Sequence, residues 1–318
     1  MPRTILVTGA HGFLGRHAAR LFAQQGDLVK GLGHGDWAPE EWKQWGLSEW
    51  HPGDVTLEML QDCADKPFAI LHCAGSGSVP LSLENPWQDF QRTVATTADV
   101  LEYVRVYSPD SRVIYPSSAS VYGIAETFPI TEDCRLAPIS PYGVHKWMAE
   151  QLVLSSARQF RLSTAIVRLF SIYGCGLRKQ LLWDACRKLS EGDHLFMGTG
   201  EEMRDWLHVE DAATLLSAAV DNADPECPLV NGGTGEGVTV RDLLHQVADS
   251  FSIQSSKPEF SGTNRRGDPS RYVADISRAS KWGWKPAKHW RERVTEYVAW
   301  WERHRETPPD SMTQFTVR

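Results

Sequence analysis

Short apolar and β-branched runs recur along the first half of the chain, and each of the early runs is followed by a stretch with helical spacing. Runs of this length and composition are typical of strands that are buried on both faces. Strands that alternate with helices predict an α/β fold built on a doubly wound parallel sheet. The predicted strands cover residues 4–7, 28–32, 68–72, 112–115 and 163–169.

A glycine-rich turn separates the first predicted strand from the first predicted helix. Gly9, Gly12 and Gly15 are spaced as G-x-x-G-x-x-G, and Phe13 and Leu14 begin the helix. In such a turn the first glycine permits the tight bend, the second lets backbone approach a pyrophosphate, and the third lets helix and strand pack closely. The first amides of the helix also favour a phosphate. An ordinary glycine-rich turn is the alternative, but the strand–helix context favours a dinucleotide site.

The regular alternation weakens in the second half of the chain. We expect a Rossmann domain over residues 1–170, a smaller C-terminal substrate lobe mainly over 171–304, and a polar tail over 305–318. Segments 240–251 and 289–304 have the apolar spacing of amphipathic helices. The chain is expected to cross between the two lobes more than once, so no clean linker is predicted.

Composition narrows the class of protein. The chain has 318 residues and a net charge of −7, so it lacks the basic footprint of a nucleic-acid-binding protein. Its six cysteines are scattered without a Cys-x-x-Cys pair, which predicts no metal site and fits a reducing compartment. The first residues lack the features of a signal peptide, and no apolar run is long enough to cross a bilayer. We therefore expect a cytoplasmic protein without nucleic-acid or membrane partners.

Candidate chemistry comes from Tyr142 and Lys146, which lie four residues apart just after Pro141. Proline favours the first helical position, and a four-residue spacing puts both side chains on one face of a helix. An ammonium beside a phenol lowers the phenol pKa from its usual value of about 10. Such a tyrosine can exchange a proton with a carbinol while a hydride moves to or from a nicotinamide. The lysine would also hold the nicotinamide ribose.

A serine-rich segment containing Ser117, Ser118 and Ser120 follows the fourth predicted strand. Ligands of open α/β sheets bind at this end of the strands, and these hydroxyls can hydrogen-bond a reacting oxygen. A Tyr-x-x-x-Lys pair alone is common by chance on exposed helix faces. Its position after a glycine turn and a serine segment, in that order, predicts a nicotinamide-dependent oxidoreductase.

With these motifs the chain resembles the extended short-chain dehydrogenases/reductases, in particular the NAD-dependent epimerase/dehydratase family of nucleotide-sugar enzymes. The resemblance extends from Ile5 to about His304. It implies an NAD(P)-dependent enzyme that acts at C4 of a nucleoside-diphosphate sugar. Further stretches that resemble the family are Asp54-Val55, His72-Cys73-Ala74-Gly75, 168–174, 198–211, 231–235, Arg266-Gly267-Asp268 and Ala274-Asp275.

The resemblance also implies roles for single residues. Ser118 is implied to be the catalytic hydroxyl, Tyr142 the acid/base and Lys146 its partner. Arg204 and Arg266 are implied to hold the diphosphate, a role that suits planar guanidinium groups. Cofactor-binding positions, besides the glycine turn, are His11, Arg16, His34, Asp54, Val55, Cys73, Ala74, Gly75, Tyr142 and Lys146. Substrate-binding positions are Ser78, Ser118, Ser120, Ser171, Lys179, Arg204 and Arg266.

The end of the second predicted strand bears on the choice of cofactor. This position normally has an Asp or Glu for the ribose hydroxyls of NAD, but here it has Gly33, followed by His34. Without the carboxylate nothing there repels a 2′-phosphate, and His11, Arg16 and His34 are near enough in sequence to bind one. The pattern favours NADP, with NAD bound through backbone and ribose contacts as the alternative.

Departures from the family pattern narrow the reaction. Ser118-Ala119-Ser120 stands where the 4,6-dehydratases have Thr-Asp-Glu, so the acidic pair for an elimination is missing. Decarboxylases keep the Glu, and fucose-synthase-like enzymes have Cys at the position of Ala119. The usual Asn at the position of Ser171 is also absent. Two reactions remain possible for this chain. One is that of an NADPH-dependent 4-keto-sugar reductase, which Gly33 and His34 favour, and the other is that of an NAD-dependent 4-epimerase.

Two further expectations concern assembly and class. Segment 94–106 and the helix that starts near Tyr142 are apolar beyond their active faces, and in relatives these helices pair as a four-helix bundle. We expect a homodimer, although both faces could instead be core within one subunit. A non-catalytic NAD(P)-binding regulator is the remaining functional class, but the chain keeps both Tyr142 and Lys146.

Overall fold

The core of the protein is a parallel sheet of seven strands, in a computed structural model that describes residues 2–252, 257–263 and 270–306. The strands of the chain are β1 (Thr4–Thr8), β2 (Leu28–Gly33), β3 (Glu49–Pro52), β4 (Ala69–His72), β5 (Arg112–Ser118), β6 (Thr164–Leu169), β7 (Ser171–Tyr173), β8 (Leu195–Phe196), β9 (Met203–Arg204), β10 (Trp206–His208), β11 (Leu229–Gly232), β12 (Val238–Thr239), β13 (Glu259–Phe260) and β14 (Arg271–Tyr272). The order across the main sheet is β11-β6-β5-β4-β1-β2-β3, with every neighbouring pair parallel. The direction of progression reverses between β1 and β4, which is where sheets of this kind bind ligands.

Helices cover both faces of this sheet. They are α1 (Phe13–Gln24), α2 (Pro39–Gln44), α3 (Leu57–Cys63), α4 (Val79–Glu84), α5 (Pro86–Phe90), α6 (Thr96–Tyr107), α7 (Pro141–Phe160), α8 (Gln180–Ser190), α9 (Val209–Asn222), α10 (Val240–Asp249), α11 (Ser277–Lys281) and α12 (Trp290–His304). A π-helical turn (Gln91–Ala95) precedes α6, and a 3₁₀ turn (Ala119–Tyr122) follows β5. No described helix is apolar over a length that would span a bilayer.

Successive residues of β1 point to opposite layers. Ile5 and Val7 belong to a core cluster with residues of α1 and α9, whereas Leu6 belongs to a cluster with α3, α6 and α7. All three side chains are fully buried. A strand buried on both faces needs apolar residues at every position, and this explains the continuous run in the sequence. The doubly wound Rossmann fold is confirmed.

The five predicted strands are present with shifted ends, while β3 and β11 at the two edges of the sheet were not predicted. Both edge strands have only four residues, and β3 contains Trp50 and His51 between polar neighbours. β5 continues to Ser118, three residues beyond the predicted end at Tyr115. The predicted helices 240–251 and 289–304 correspond to α10 and α12.

A second core lies mostly in the later part of the chain. It packs α8, α10 and α12 together around Leu243, Val247, Val294 and Tyr297. Small sheets border this core: β7 with β10, β8 with β13, and β12-β9-β14. β11 nevertheless returns to the main sheet beside β6, and α9 packs on α1. The chain thus crosses back to the first layer after residue 171.

Candidate active site

The glycine turn between β1 and α1 is in close contact with neighbouring backbone. Gly9 has a φ of +66°, and a Cβ added there would lie 2.7 Å from the backbone nitrogen of Ala74. A Cβ on Gly15 would lie 2.2 Å from the carbonyl oxygen of Gly9. α1 begins at Phe13 with Gly12 before it, without a side-chain cap and without an acidic residue in its first turn. The first amides of α1 therefore lack a side-chain acceptor and suit an anionic ligand.

The segment after β4 lies against this turn. Thr8 Oγ1 accepts a hydrogen bond from the Ala74 amide at 3.2 Å and lies 2.8 Å from His72 Nδ1. Burial lowers the pKa of His72 to about 3, so this ring is neutral. A Cβ on Gly75 would lie 3.9 Å from Lys146 Nζ. Residues 73–75 thus connect the glycine turn with the predicted catalytic lysine.

The predicted catalytic hydroxyls meet at the carboxyl end of β5. Ser118 is the last residue of β5, and its hydroxyl is near enough to the phenol of Tyr142 to lower the pKa of that phenol. α7 begins at Pro141, and the Ser140 hydroxyl caps it by accepting a hydrogen bond from the Gly143 amide at 3.2 Å. The proline and the cap fix the start of α7, so that Tyr142 lies in its first turn.

Lys146 completes this group from the next turn of α7. Its Nζ donates a hydrogen bond to the Pro116 carbonyl oxygen at 3.0 Å and lies 4.9 Å from the centre of the Tyr115 ring. The residue is 7% exposed, and burial lowers its pKa to about 8. Burial also raises the pKa of Tyr142, and the nearby Ser118 hydroxyl opposes that rise. The site can therefore hold a proton on the phenol and release it to a nearby acceptor.

A buried hydrogen-bond network fixes the position of the serine segment. Ser117 Oγ donates to Glu150 Oε1 at 2.5 Å, and Arg168 donates to both Glu150 oxygens at 3.0 and 2.8 Å. Arg168 Nη1 also donates to the Tyr122 hydroxyl at 3.1 Å, which in turn donates to Asn231 Oδ1 at 2.6 Å. All five residues are at most 4% exposed. Because Ser117 and Tyr122 flank the predicted catalytic serine, the network fixes its segment at both ends. We name these five residues the Glu150 network.

The structure places the predicted partners of a 2′-phosphate, His11, Arg16 and His34, in contact with other side chains of the protein. His11 is 2% exposed and stacks on Trp37 with the ring centres 4.5 Å apart. Arg16 is 8% exposed, donates hydrogen bonds to the His11 carbonyl oxygen, and lies 5.5 Å from the Trp37 ring centre. His34 Nε2 lies 2.8 Å from Asp54 Oδ1. Indole packing and a carboxylate thus occupy the groups that were expected to bind phosphate.

A cavity of about 530 Å³ opens beyond the ends of β2 and β3. Its lining includes the indoles of Trp37 and Trp50 and the carboxylates of Asp36 and Glu41. Among the described residues that line it, none is a lysine, arginine or histidine. The ribose end of the predicted cofactor site is therefore acidic and aromatic rather than basic.

The predicted substrate residues are spread over several elements. Ser78 caps α4 and accepts a hydrogen bond from the Leu81 amide at 3.3 Å. Ser120 lies next to the catalytic segment, and its Oγ is buried without a hydrogen-bond partner among the described residues. Lys179 is exposed at the start of α8. Arg266 lies outside the described residues, so the structure does not place it.

Ser171 and Arg204 lie close together where β7 pairs with β10. The Ser171 amide donates to the Asp205 carbonyl oxygen at 3.1 Å, and Arg204 Nη1 donates to the Met203 carbonyl oxygen at 2.9 Å. Asp205 itself is fully buried, and its carboxylate accepts a hydrogen bond from the Thr234 amide at 2.6 Å. Sequence reasoning noted this stretch only as a family landmark and missed the bracing role of Asp205. No group of metal-ligating side chains is found among the described residues.

Comparisons with known proteins agree with this geometry. A family model described as the NAD dependent epimerase/dehydratase family matches residues 5–231. The UDP-glucose 4-epimerase of Rhizobium meliloti is 30% identical, over 89% of this chain and 92% of that protein. The structure of the Thermotoga maritima UDP-glucose 4-epimerase with UDP-glucose superposes with a TM-score of 0.86 at 24% identity, over 95% of this chain and 100% of the other. That of the Brucella ovis UDP-glucose 4-epimerase with NAD gives 0.80 at 26% identity, over 93% and 96%.

The match of the family model covers most of the chain, and it includes the glycine turn, the serine segment and the Tyr142–Lys146 pair. The Rhizobium meliloti relative extends the similarity over nearly the full length of both proteins. The chain therefore belongs to the NAD-dependent epimerase/dehydratase family and is an enzyme of the short-chain dehydrogenase/reductase type.

Proposed function

We propose that this enzyme is an NAD-dependent nucleotide-sugar 4-epimerase, with a nucleoside-diphosphate hexose such as UDP-glucose as its substrate. The observation that supports an enzyme of this kind most directly is the meeting of Ser118 and Tyr142 at the end of β5, with Lys146 one turn away. The UDP-glucose 4-epimerase of Rhizobium meliloti is similar to this chain over most of the length of both proteins. This similarity favours the epimerase alternative over the 4-keto-sugar reductase that Gly33 and His34 favoured, whereas the three catalytic side chains would serve either reaction.

The residues present fit a bound dinucleotide. The space that a Cβ would fill at Gly9 and Gly15 is occupied by backbone, so only glycines allow this tight turn and the close packing of helix on strand that a dinucleotide site needs. We propose that the amides of Phe13 and Leu14 bind the diphosphate and that Lys146 holds the nicotinamide ribose. When bound, NAD would supply the hydride acceptor and donor for C4 of the sugar.

The protein's own part in the reaction is proton transfer and orientation. Tyr142 takes the proton from the sugar 4-hydroxyl as C4 becomes a carbonyl, and returns it when the carbonyl is reduced from the opposite face. Ser118 donates a hydrogen bond to the same oxygen and keeps it in line with the phenol. The ammonium of Lys146, one helical turn away, is proposed to favour the phenolate form. Because the proton and the hydride both return, the reaction needs no second redox substrate.

The acidic cavity beyond β2 and β3 supports NAD rather than NADP. Asp36 and Glu41 line it, so a 2′-phosphate nearby would meet two carboxylates. Asp54, the predicted adenine contact, adds a third carboxylate that pairs with His34. A ribose with a free 2′-hydroxyl avoids this repulsion and can donate a hydrogen bond to a carboxylate. The structure of the Brucella ovis relative was determined with NAD.

The later part of the chain is proposed to bind the nucleotide sugar. Ser171 and Arg204 face the same junction of β7, β9 and β10, and Arg204 would contact the diphosphate. We keep the division into a Rossmann domain over 1–170 and a substrate lobe mainly over 171–304 as part of this proposal. The homodimer is proposed as well, because Trp147 and Met148 on α7 are each 38% exposed. Residues Val100, Leu101 and Val104 of α6, in contrast, are core.

Purified protein should first be analysed by mass spectrometry for the nucleotide that copurifies. The proposal expects NAD, and it expects UDP-glucose to be converted to UDP-galactose without any added reductant. The matched control is Tyr142→Phe, which removes one oxygen and should bind the same cofactor. Turnover that depends on NADPH and on a 4-keto sugar, with no interconversion of the two hexoses, would establish the reductase instead.

A further inference from the structure

A buried pair of ionisable side chains, Asp89 and His145, lies beside the active residues and has no part in the steps above. Asp89 is near the end of α5, and His145 is on α7 directly before Lys146. His145 Nδ1 lies 2.5 Å from Asp89 Oδ2, and their side chains are 12% and 2% exposed. A carboxylate buried to this extent stays ionised only when a hydrogen-bonded partner holds it. His145 is that partner.

The second oxygen of Asp89 indicates that the pair does more than join two helices. Oδ1 is buried and has no hydrogen-bond partner among the described residues. An unsatisfied buried oxygen destabilises the folded state, and most buried polar atoms in proteins avoid it. Violations of this kind are expected at functional sites. The position of the carboxylate therefore needs an explanation other than packing.

Asp89 lies beside the turn of α7 that contains both catalytic side chains, because it contacts His145, which is three residues after Tyr142 and directly before Lys146. The Tyr142 amide donates a hydrogen bond to Ser82 Oγ at 3.1 Å, so α4 and α5 rest on the first turn of α7. After burial and the Ser118 hydroxyl, the charge of Asp89 is the remaining influence on the pKa of Tyr142, and it raises that pKa. The same charge raises the pKa of Lys146, against the larger lowering by burial.

Most other titratable groups near Lys146 are neutral. His72 and Cys73 face it from the end of β4, where burial lowers the pKa of the imidazole to about 3 and raises that of the thiol to about 12. Tyr115 of β5 lies under the ammonium, and burial keeps its phenol protonated by raising its pKa. None of these three groups has a negative charge near neutral pH.

The remaining charges are paired or exposed. Glu150, farther along α7, forms a 2.8 Å ion pair with Arg168. The π-helical turn contributes Arg92, and α4 contributes Glu84, which is exposed. Among the described residues named here, Asp89 is thus the buried anion that acts on both Tyr142 and Lys146.

We propose that Asp89, held by His145, is a positioning residue whose buried charge stabilises the protonated forms of Tyr142 and Lys146 and so sets the pH range in which the site works. This inference rests on the proposed roles of Tyr142 and Lys146. It predicts that removal of the charge lowers the pKa of both groups together. A residue that only packed would change the amount of active protein and leave the position of the titration unchanged.

The direct test is the titration of Tyr142 in the NAD-bound protein, which needs no substrate. The near-ultraviolet difference in absorbance between wild type and Tyr142→Phe reports the phenolate, and the same difference is measured in an Asp89→Asn background. The midpoint should move to lower pH by about one unit in Asp89→Asn. Asp110→Asn, which removes an exposed carboxylate, is the matched control and should not move it. Failure of this titration is distinguishable from failure of the proposed reaction, because no sugar is turned over.

The His145 variants provide a second arm if Asp89→Asn does not fold. His145→Gln keeps a donor for Asp89 and should titrate like wild type. His145→Phe leaves the buried carboxylate without its partner, which disfavours the charge, so the Tyr142 midpoint should move to lower pH, as in Asp89→Asn. Where turnover is measurable, both limbs of the pH–rate profile should move to lower pH. An unchanged midpoint in folded Asp89→Asn, or in His145→Phe, would overturn the proposal.

Discussion

Ser117 donates a 2.5 Å hydrogen bond to Glu150, which ties the residue before the predicted catalytic serine to the helix of Tyr142 and Lys146. Glu150→Gln keeps the shape of the side chain but leaves Arg168 as a buried charge without its carboxylate. We expect the free energy of unfolding of this variant to be lower than that of wild type by about 3 kcal/mol or more. Thermal denaturation measures this loss, and an equal melting temperature would show that the Glu150 network does not support the fold.

Removal of the Ser117 hydroxyl tests whether the part of the Glu150 network next to Ser118 supports catalysis. Ser117→Ala keeps the Glu150–Arg168 pair, so the protein should fold and bind its substrate with a nearly unchanged KM. The Ser118 segment loses one of its two anchors, and we expect kcat to fall about ten-fold. Ser190→Ala, at the end of α8, is a control that removes a hydroxyl far from β5. Equal kcat values for Ser117→Ala and wild type would contradict this prediction.

Tyr142→Phe should reduce turnover by about 10²-fold or more, because the proton of the sugar hydroxyl then lacks its acceptor. Cofactor binding should be retained, since the ring itself is kept. Steady-state kinetics and a cofactor titration on the same preparation measure both effects. Turnover like that of wild type would remove Tyr142 from the mechanism.

The pH dependence of the wild type follows from Lys146. Its pKa is lowered to about 8 by burial, so its charge is present below that pH and is lost above it. We expect kcat/KM to fall as the pH rises through about 8, because the phenolate then loses its electrostatic support. In Lys146→Arg the charge persists, and this alkaline limb should disappear even if the maximal rate is lower. The same limb in both proteins would assign it to another group.

Wild type should bind NAD more tightly than NADP, because Asp36 and Glu41 line the cavity at the ribose end. The double change Asp36→Asn and Glu41→Gln should reduce the ratio of NAD affinity to NADP affinity by about ten-fold at low salt. The reduction should be smaller at high salt, since both carboxylates are exposed. Titration of the two cofactors at two ionic strengths decides the point. A wild type that prefers NADP would restore the reductase hypothesis.

A carboxylate at the end of β2 provides a complementary test. A Cβ on Gly33 would lie 3.3 Å from Gly9 Cα, so any side chain there forces a small local shift. Gly33→Ala isolates this steric effect, and Gly33→Asp adds the charge. We expect the ratio of NAD to NADP affinity to be higher in Gly33→Asp than in Gly33→Ala, by about ten-fold. Equal ratios would show that the ribose does not reach this position.

The proposed dimer predicts a mass of two chains by light scattering at micromolar concentration. Trp147→Glu places a charge on the exposed apolar face of α7 and should give monomers. Trp87→Glu, on the exposed surface of α5, is a control of the same kind and should leave the mass unchanged. A monomeric wild type would contradict the prediction.

The sequence predicted the centre of the sheet well because those strands are buried on both faces. Ile5, Leu6 and Val7 form such a run, and all three side chains are fully buried. β3 and β11 are short edge strands, and their residues do not alternate clearly. Their pairing is determined by neighbours that are distant in the sequence, such as β6 for β11. Local patterns contain no information about such contacts.

The candidate site, like the fold, has parts that the sequence predicts and parts that it does not. The positions of Tyr142 and Lys146 on one helix follow from local spacing, and the structure agrees. The environment of His11 and Arg16 does not follow from local spacing, because Trp37, in the loop after β2, packs against both side chains. Asp89 and His145 are 56 residues apart, and their contact depends on how α5 packs on α7. Nearness in sequence gives no information about either contact, because both depend on tertiary packing.

The Glu150 network limits how the sequence of this protein can change during evolution. Each of its members satisfies another, so a single substitution leaves a buried donor, acceptor or charge without a partner. A variant that replaced Glu150 and Arg168 together with apolar residues would avoid that penalty, but each intermediate step would be disfavoured. Glu150 and Arg168 should therefore be replaced together or not at all.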